Sequence, residues 1–237
     1  MKLSIIMPVY NERKTIIEIL RKVLDVDLSE IGFTKEIIVI DDGSTDGTRE
    51  ILKTASGYQV PDPSVNQIKT IYHEKNQGKG VAVRTGLKYV TGDIVLIQDA
   101  DLEYDPNDYV ELIKPIVEKK SKIVYGSRTL GKNKKSYWSY YLGGRMLSFF
   151  TNLLYGSHLT DEATCYKVFS SDVIRDTRLT CRKFEFCPEV TAKALKRGYK
   201  ILEIPIHYYP RHIREGKKIR FSDALEAFWV LIKYRIT

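Results

Sequence analysis

The segment VLIQDADLEYDP, Val95 to Pro106, ends an apolar run in three acids, Asp99, Asp101 and Glu103, at every second position. Carboxylates crowded this closely repel one another unless positive charge lies between them. A bound cation is one such charge. A second acidic pair, Asp41 and Asp42, opens DDGSTDGT, whose Asp, Ser, Thr and Gly residues suit a loop and a helix cap. Lys79 stands between glycines in NQGKG, at the start of a helix-period segment. Free N–H groups and a cation there would suit a phosphate, while a solvated lysine beside a helix start is the plainer reading.

Elements of two kinds must position these residues. Apolar runs of strand length alternate with helix-period segments: LSIIMPV, then Thr15 to Leu24; EIIVID, then Thr48 to Thr54; QIKTIYH, then Gly80 to Val90; DIVLIQD, then Pro106 to Lys119; and KIVYGS. In the first helix Ile16, Ile19, Leu20, Val23 and Leu24 form one stripe, with Asn11 as its expected cap. β-branched strands each followed by a helix imply an α/β fold, a Rossmann-like, mainly parallel sheet covered by helices on both faces. Ligands bind such sheets outside the carboxyl ends of the strands. The polar segments MPVYNE, DDGSTDGT, HEKNQGKG, DADLE and GSR all fall at those ends, so one edge of the sheet is the expected site.

The chain of 237 residues is long enough for one large domain, and 43% apolar and 29% charged residues are the composition of a globular protein. A net charge of +8 suggests an anionic partner: nucleic acid, an anionic membrane surface or a phosphorylated substrate. No basic stripe with interleaved aromatics is present, which speaks against nucleic acid. Cys165, Cys181 and Cys187 form no C-x-x-C pair and fit small core positions in a reducing compartment, so a cytosolic chain is expected. The apolar start is too short for a signal peptide, and no stretch approaches the roughly 20 apolar residues of a spanning helix. YYLGGRMLSFFTNLLYG and FSDALEAFWVLIKYRIT are amphipathic segments that could lie on a membrane without crossing it.

Six motifs in order, SIIMPVYNE, IIVIDDGSTDGT, NQGKGVAVRTG, GDIVLIQDADLEYDP, VYGSR and GYKILEIPIHYYPR with EGKK after it, span nearly the whole chain. Together they resemble the family 2 glycosyltransferases of the GT-A fold, and within them the polyprenyl-phosphate sugar transferases similar to dolichyl-phosphate mannose synthase. No G-x-G-x-x-G follows the first strand, which weakens a dinucleotide-dehydrogenase reading. The resemblance implies metal-dependent, inverting transfer of a hexose from a UDP- or GDP-hexose to a polyprenyl, dolichyl-type phosphate. The enzyme must stabilise charge growing on the leaving diphosphate, and Mg²⁺ or Mn²⁺ held by one or two carboxylates does so. By resemblance Asp99 and Asp101 hold it, with Asp101 catalytic and Glu103 at a position where the mannose synthases often have Gln.

The resemblance also gives one of Asp41 and Asp42 to the nucleoside, with Pro8, Tyr10 and Glu12 on the adjoining loop. Arg128 and Arg145 would hold the acceptor phosphate, and Arg211 with Lys217 and Lys218 would lie over the donor diphosphate as a mobile loop. PRHIREGKK, which also carries Arg214, is longer than the R-x-x-G-x-S-K of the mannose synthases, which leaves the donor open. The domain would be 1–237, with 1–127 the nucleotide-sugar and metal half and 128–237 the acceptor half with a C-terminal amphipathic segment.

A phosphate acceptor is already anionic and needs positioning rather than a general base, whereas a hydroxyl acceptor needs a carboxylate, for which Glu185 or Glu189 is the candidate. Leu142, Met146, Phe149, Phe150, Leu153 and Leu154 around Arg145 fit a lipid acceptor or a buried core helix. Phe228, Trp229, Leu231 and Ile232 with Arg220, Lys233 and Arg235 fit an interfacial helix at the cytosolic membrane face or a contact between copies of the chain. Transfer to a glycan or small-molecule hydroxyl is the alternative activity. A nucleotide-sugar binding protein without turnover is the alternative class.

Overall fold

The computed structural model describes residues 1–55, 65–133, 137–211 and 221–237. Seven strands, β1 (Lys2–Val9), β2 (Thr34–Asp41), β3 (Val65–Tyr72), β4 (Ile94–Ile97), β5 (Ile123–Ser127), β6 (Lys167–Ser170) and β7 (Ile201–Pro205), form one sheet in the order β3-β2-β1-β4-β6-β5-β7. All pairs are parallel except the two that β6 makes with β4 and β5. Interior strands are buried along almost their whole length, because helices cover both faces of the sheet.

On one face pack α1 (Ile16–Asp25), α2 (Thr48–Ala55) and α4 (Tyr109–Val117); on the other, α3 (Lys79–Leu87), α6 (Ser171–Asp176) and α7 (Phe186–Lys196). The α1 stripe behaves as its spacing predicts, with Ile16, Ile19, Leu20 and Val23 in the core. Its start differs. Asn11 has φ 50° and accepts from Thr45 N at 2.8 Å, so it holds the neighbouring loop instead of capping the helix. The first free amides of α1 are met by the Glu12 carbonyl, which accepts from Thr15 N and Ile16 N. Helix α3 ends at Leu87, short of the expected Val90, and Pro106–Asp108 forms a 3-10 turn before α4.

Helix α3 lies close on the sheet because Gly86 has no side chain. A Cβ there would sit 2.6 Å from Ile6 and 2.8 Å from Ile40. This approach carries the start of α3 to the carboxyl ends of β1, β2 and β4.

Two further helices, α5 (Trp138–Tyr155) and α8 (Phe221–Ile236), pack outside α7 around Leu147, Ala192, Ala227 and Leu231, with Phe150 edge-on to Phe228 at 5.3 Å. Their inner faces are therefore core. Their outer faces carry Leu142, Met146, Phe149 and Leu153 on α5 and Leu225, Trp229, Ile232 and Ile236 on α8, all exposed. No helix among the described residues is long and apolar enough to cross a membrane.

Candidate active site

The order β2-β1-β4 brings the carboxyl ends of three strands side by side. Pro8 lies within β1, and Tyr10 to Glu12 follow its end; β2 ends at Asp41; β4 ends at Ile97, two residues before Asp99. Asp99 receives Lys79 Nζ at 2.5 Å, and the same ammonium lies 3.2 Å from Cys165 Sγ. Burial opposes charge on both partners, but each holds the other ionised. Lys79 stands well above the ordinary lysine range, and Asp99 below the carboxylate range.

Asp101 has the opposite balance. Burial, then Asp99 and Glu103, push its carboxyl up to about 7, against the attraction of Arg211. Arg211 Nη2 lies 3.1 Å from Asp101 Oδ2, and its Nη1 donates to Glu12 at 3.1 Å. Glu103 accepts from Arg211 N at 2.9 Å and from Tyr208 Oη at 3.1 Å. Four carboxylates, Glu12, Asp99, Asp101 and Glu103, thus share two cations, Lys79 and Arg211.

This arrangement changes the expectation of an assembled triplet. Asp99 turns to Lys79 while Asp101 and Glu103 turn to Arg211, and among the described residues no three His, Cys, Asp or Glu side chains are gathered in metal-holding geometry. The donor set still fits a hard divalent cation: every candidate ligand is a carboxylate oxygen, and the cluster carries more negative than positive charge.

The donor loops are tightly bonded. Asp41 accepts from Arg49 Nε at 2.7 Å and from Ser44 N at 3.2 Å. Asp42 accepts from Gln77 N at 2.9 Å and Gly78 N at 2.8 Å and lies 2.7 Å from His73 Nδ1. Both therefore act as loop anchors, and Asp42 fixes the segment leading into α3. At Lys79 neither a phosphate cradle nor a solvated side chain is formed: Gly80 N and Val81 N donate to the carbonyls of Lys183 and Arg182. Gly78 permits that contact, since a Cβ there would lie 2.3 Å from Arg182 O. Lys79 faces an acid, not solvent.

On the far side of β4, Arg128 follows the end of β5. Its Nε and Nη2 bind Asp161 Oδ2 and Oδ1, each at 2.7 Å, and its backbone N adds a third bond at 2.9 Å. The bidentate pair leaves three of the five guanidinium N–H donors for another partner. Burial pushes the Asp161 carboxyl up, but the Arg128 charge and hydrogen bonds outweigh it and hold it below the ordinary range. Arg145, exposed on α5, donates through Nη1 to the Thr160 carbonyl at 3.0 Å. The two arginines thus meet on one turn, Thr160–Asp161. Arg214, Lys217, Lys218 and Arg220 lie outside the described residues.

Neither candidate base is placed as one. Glu189 is buried and accepts from Thr180 N, Thr180 Oγ1, Cys181 N, Lys193 Nζ and Tyr234 Oη. Burial opposes its ionisation, but these partners bring the carboxyl down to about 2. Glu185 accepts from Arg182 N at 2.6 Å and Lys183 N at 2.7 Å. Both glutamates hold the loop that seals the start of α3.

Sequence reasoning passed over Asp161, Cys165 and Tyr208. Asp161 and Cys165 gave no site signal, because DEATCYK carries no recognised spacing and acquires its role only when β6 inserts antiparallel between β4 and β5, whereas Tyr208 stands inside GYKILEIPIHYYPR without being singled out. Glu162, beside Asp161, is buried with neither carboxylate oxygen hydrogen-bonded among the described residues, and burial raises its pKa.

Comparison with known proteins agrees with this geometry. The family model for glycosyl transferase family 2 matches residues 4–178. A UDP-N-acetylglucosamine–dolichyl-phosphate N-acetylglucosaminyltransferase of Methanococcus voltae is 33% identical over 217 residues, covering 85% of this chain and 83% of that protein. Among solved structures, glucosyl-3-phosphoglycerate synthase from Mycobacterium tuberculosis in complex with Mn²⁺, UDP-glucose and phosphoglyceric acid superposes with a TM-score of 0.70 at 18% identity, over 99% of this chain and 79% of that one. S. aureus TarS 1-349 in complex with UDP-GlcNAc gives a TM-score of 0.66 at 19% identity, over 99% of this chain and 66% of that one. These two establish the GT-A fold.

Proposed function

From the premise that the chain belongs to glycosyl transferase family 2 and is a glycosyltransferase, we propose that it transfers a hexose, with inversion, from a nucleoside-diphosphate sugar to a polyprenyl phosphate of the dolichyl type. UDP is favoured over GDP, because the relative that is 33% identical is named for a UDP-sugar donor. The observation that carries the acceptor half is the meeting of Arg128 and Arg145 on the Thr160–Asp161 turn. It presents two cations at a turn whose Asp161 carboxylate is committed to Arg128, while the two glutamates expected as bases, Glu185 and Glu189, are bonded to the loop at the start of α3.

In the reaction, an acceptor phosphate oxygen attacks the anomeric carbon as the bond from that carbon to the diphosphate oxygen breaks. The electron pair leaves with the nucleoside diphosphate, and no acceptor proton has to be removed. Arg145 and the free N–H groups of Arg128 would neutralise and orient the acceptor. Asp99 and Asp101, with Glu103, would hold Mg²⁺ or Mn²⁺, which supplies Lewis-acid stabilisation of the leaving diphosphate. Pro8, Tyr10 and the loop that Asp41 and Asp42 anchor would flank the nucleoside, and Arg211 would face the diphosphate.

We read the chain as one domain, with 1–127 handling the donor and 128–237 the acceptor; Lys79 touches Cys165, and Arg211 touches Glu12, so the halves share the site. The exposed apolar rows of α5 and α8, with Arg145, Lys233 and Arg235 beside them, support seating on an anionic bilayer, at the cytosolic face. The same rows would otherwise serve a contact between copies of the chain.

The test is incubation of the purified chain with polyprenyl phosphate and a panel of UDP- and GDP-hexoses, with and without chelator. A mild-acid-labile glycosyl phosphate lipid formed from a UDP-sugar, and lost on chelation, is the expected result. Sugar transferred only to a hydroxyl, or donor binding without turnover, overturns the reading.

A further inference from the structure

We propose that Glu203, on β7, is a positioning residue that sets both arginines of the acceptor site through a single turn. The inference rests on the reading of Arg128 and Arg145 as the acceptor's phosphate ligands.

Strand β7 runs parallel to β5 with Tyr125 opposite Glu203 and Ser127 opposite Pro205. Glu203 is therefore two residues back along the sheet from the strand end that launches Arg128. Its carboxylate accepts from two consecutive backbone amides, Thr160 N at 2.7 Å and Asp161 N at 2.9 Å. Ser127 Oγ adds a bond of 2.7 Å to Thr160 Oγ1. With its amides tied to β7 and its hydroxyl to β5, the turn can aim its other groups outward. The Thr160 carbonyl receives Arg145, and the Asp161 carboxylate receives Arg128.

The chemistry of residue 203 is specific. The two amides reach different oxygens, Thr160 N to Oε2 and Asp161 N to Oε1, so a carboxamide in the same pose would set an N–H group against one of them. Both bonds from the turn to Glu203 are charge-assisted. Rotation of the Thr160–Asp161 peptide would displace both arginines at once, so their effects on the acceptor should change together when Glu203 is altered.

Glu203→Gln keeps the size but offers a donor to one of the two amides. Steady-state kinetics with donor and acceptor varied separately should show the acceptor KM raised about tenfold, the size of one lost charge-assisted hydrogen bond, with the donor KM within about twofold. Glu203→Asp, which retains both oxygens on a shorter arm, should recover part of the loss. Glu203→Gln should cost less in an Arg145→Ala background than in wild type, because only the share of its effect that passes through Arg128 is left. A fall in kcat alone, an equal rise in both KM values, or full additivity in the double variant would overturn the positioning role.

Amide exchange separates this idea from the reading beneath it. Thr160 N–H, Asp161 N–H and Arg128 Nε–H should exchange faster in Glu203→Gln than in wild type while the β1 and β4 amides do not change. If Arg128→Ala and Arg145→Ala leave the acceptor KM unaltered, the phosphate-ligand reading fails, whatever the exchange shows. If those variants raise it and exchange at the three N–H groups is unchanged in Glu203→Gln, the positioning role alone fails.

Discussion

Arg211 sets a guanidinium nitrogen 3.1 Å from the Asp101 carboxylate, so the central acid of the site is held by a residue that reaches it from beyond β7. The interaction does not neutralise the cluster, since Glu103 and Glu12 draw on the same guanidinium and burial raises Asp101 further. Asp101→Asn removes charge from a crowded site. Turnover should fall by orders of magnitude while the Tm stays level or rises slightly, because a repulsion is relieved as a ligand is lost. Thermal melts beside initial rates check this; full activity in the variant, or in wild type with excess chelator, sinks the metal role.

The strands that build this edge were legible because β1, β2 and β4 carry β-branched runs buried on both faces, and each ends in polar residues. The acid cluster was legible for the same reason. What the residues face was not. Lys79 between glycines suited a phosphate or plain solvent, but the amides beside it are taken by Arg182 and Lys183, which belong to a loop about a hundred residues away in sequence, and its ammonium meets Asp99. Likewise Asp161 has no local signature; its pairing with Arg128 depends on β6 running antiparallel, a choice no local pattern records. Long-range pairing, rather than residue type, separated the parts that could be read from those that could not.

Glu189 offers a test of structure without chemistry. Its folded pKa of about 2 lies below the ordinary 4.5. A depressed carboxyl contributes stability that is complete above about pH 4.5 and lost as pH falls toward 2. Glu189→Gln should therefore lower stability at neutral pH by on the order of 3 kcal/mol, with the gap to wild type closing in acid. At a temperature where the variant is folded, sugar transfer should persist. Denaturant melts between pH 7 and pH 3 give the first answer; a dead but stable variant would restore Glu189 as a base.

The outer rows of α5 and α8 should bind lipid. Phe149 is 70% exposed and Trp229 61% exposed, positions where a charge costs the fold little. Co-sedimentation with liposomes should rise with the fraction of anionic lipid and fall with salt. Phe149→Glu/Trp229→Glu should abolish it with the Tm unchanged. Absence of binding at low salt, together with a concentration-dependent dimer in sedimentation, would assign these rows to a contact between copies.

Arg128 and Arg145 differ in what their removal leaves behind. Arg128→Ala strands the Asp161 carboxylate, only 5% exposed, without its partner, which should cost about 3 to 5 kcal/mol of stability as well as acceptor binding. Lysine at that position restores the charge but not the planar fork that grips both Asp161 oxygens, so recovery should be partial. Arg145 is exposed and bonds only a backbone carbonyl among the described residues, so Arg145→Ala tests the acceptor with little effect on folding. Its acceptor KM should rise strongly, or kcat/KM for the acceptor fall strongly, with donor KM much less affected. Kinetics on Arg145→Ala, Glu185→Gln and Glu189→Gln, with donor and acceptor varied in turn, decide the mechanism. A silent arginine variant beside a dead but folded glutamate variant would mean that the acceptor is a hydroxyl.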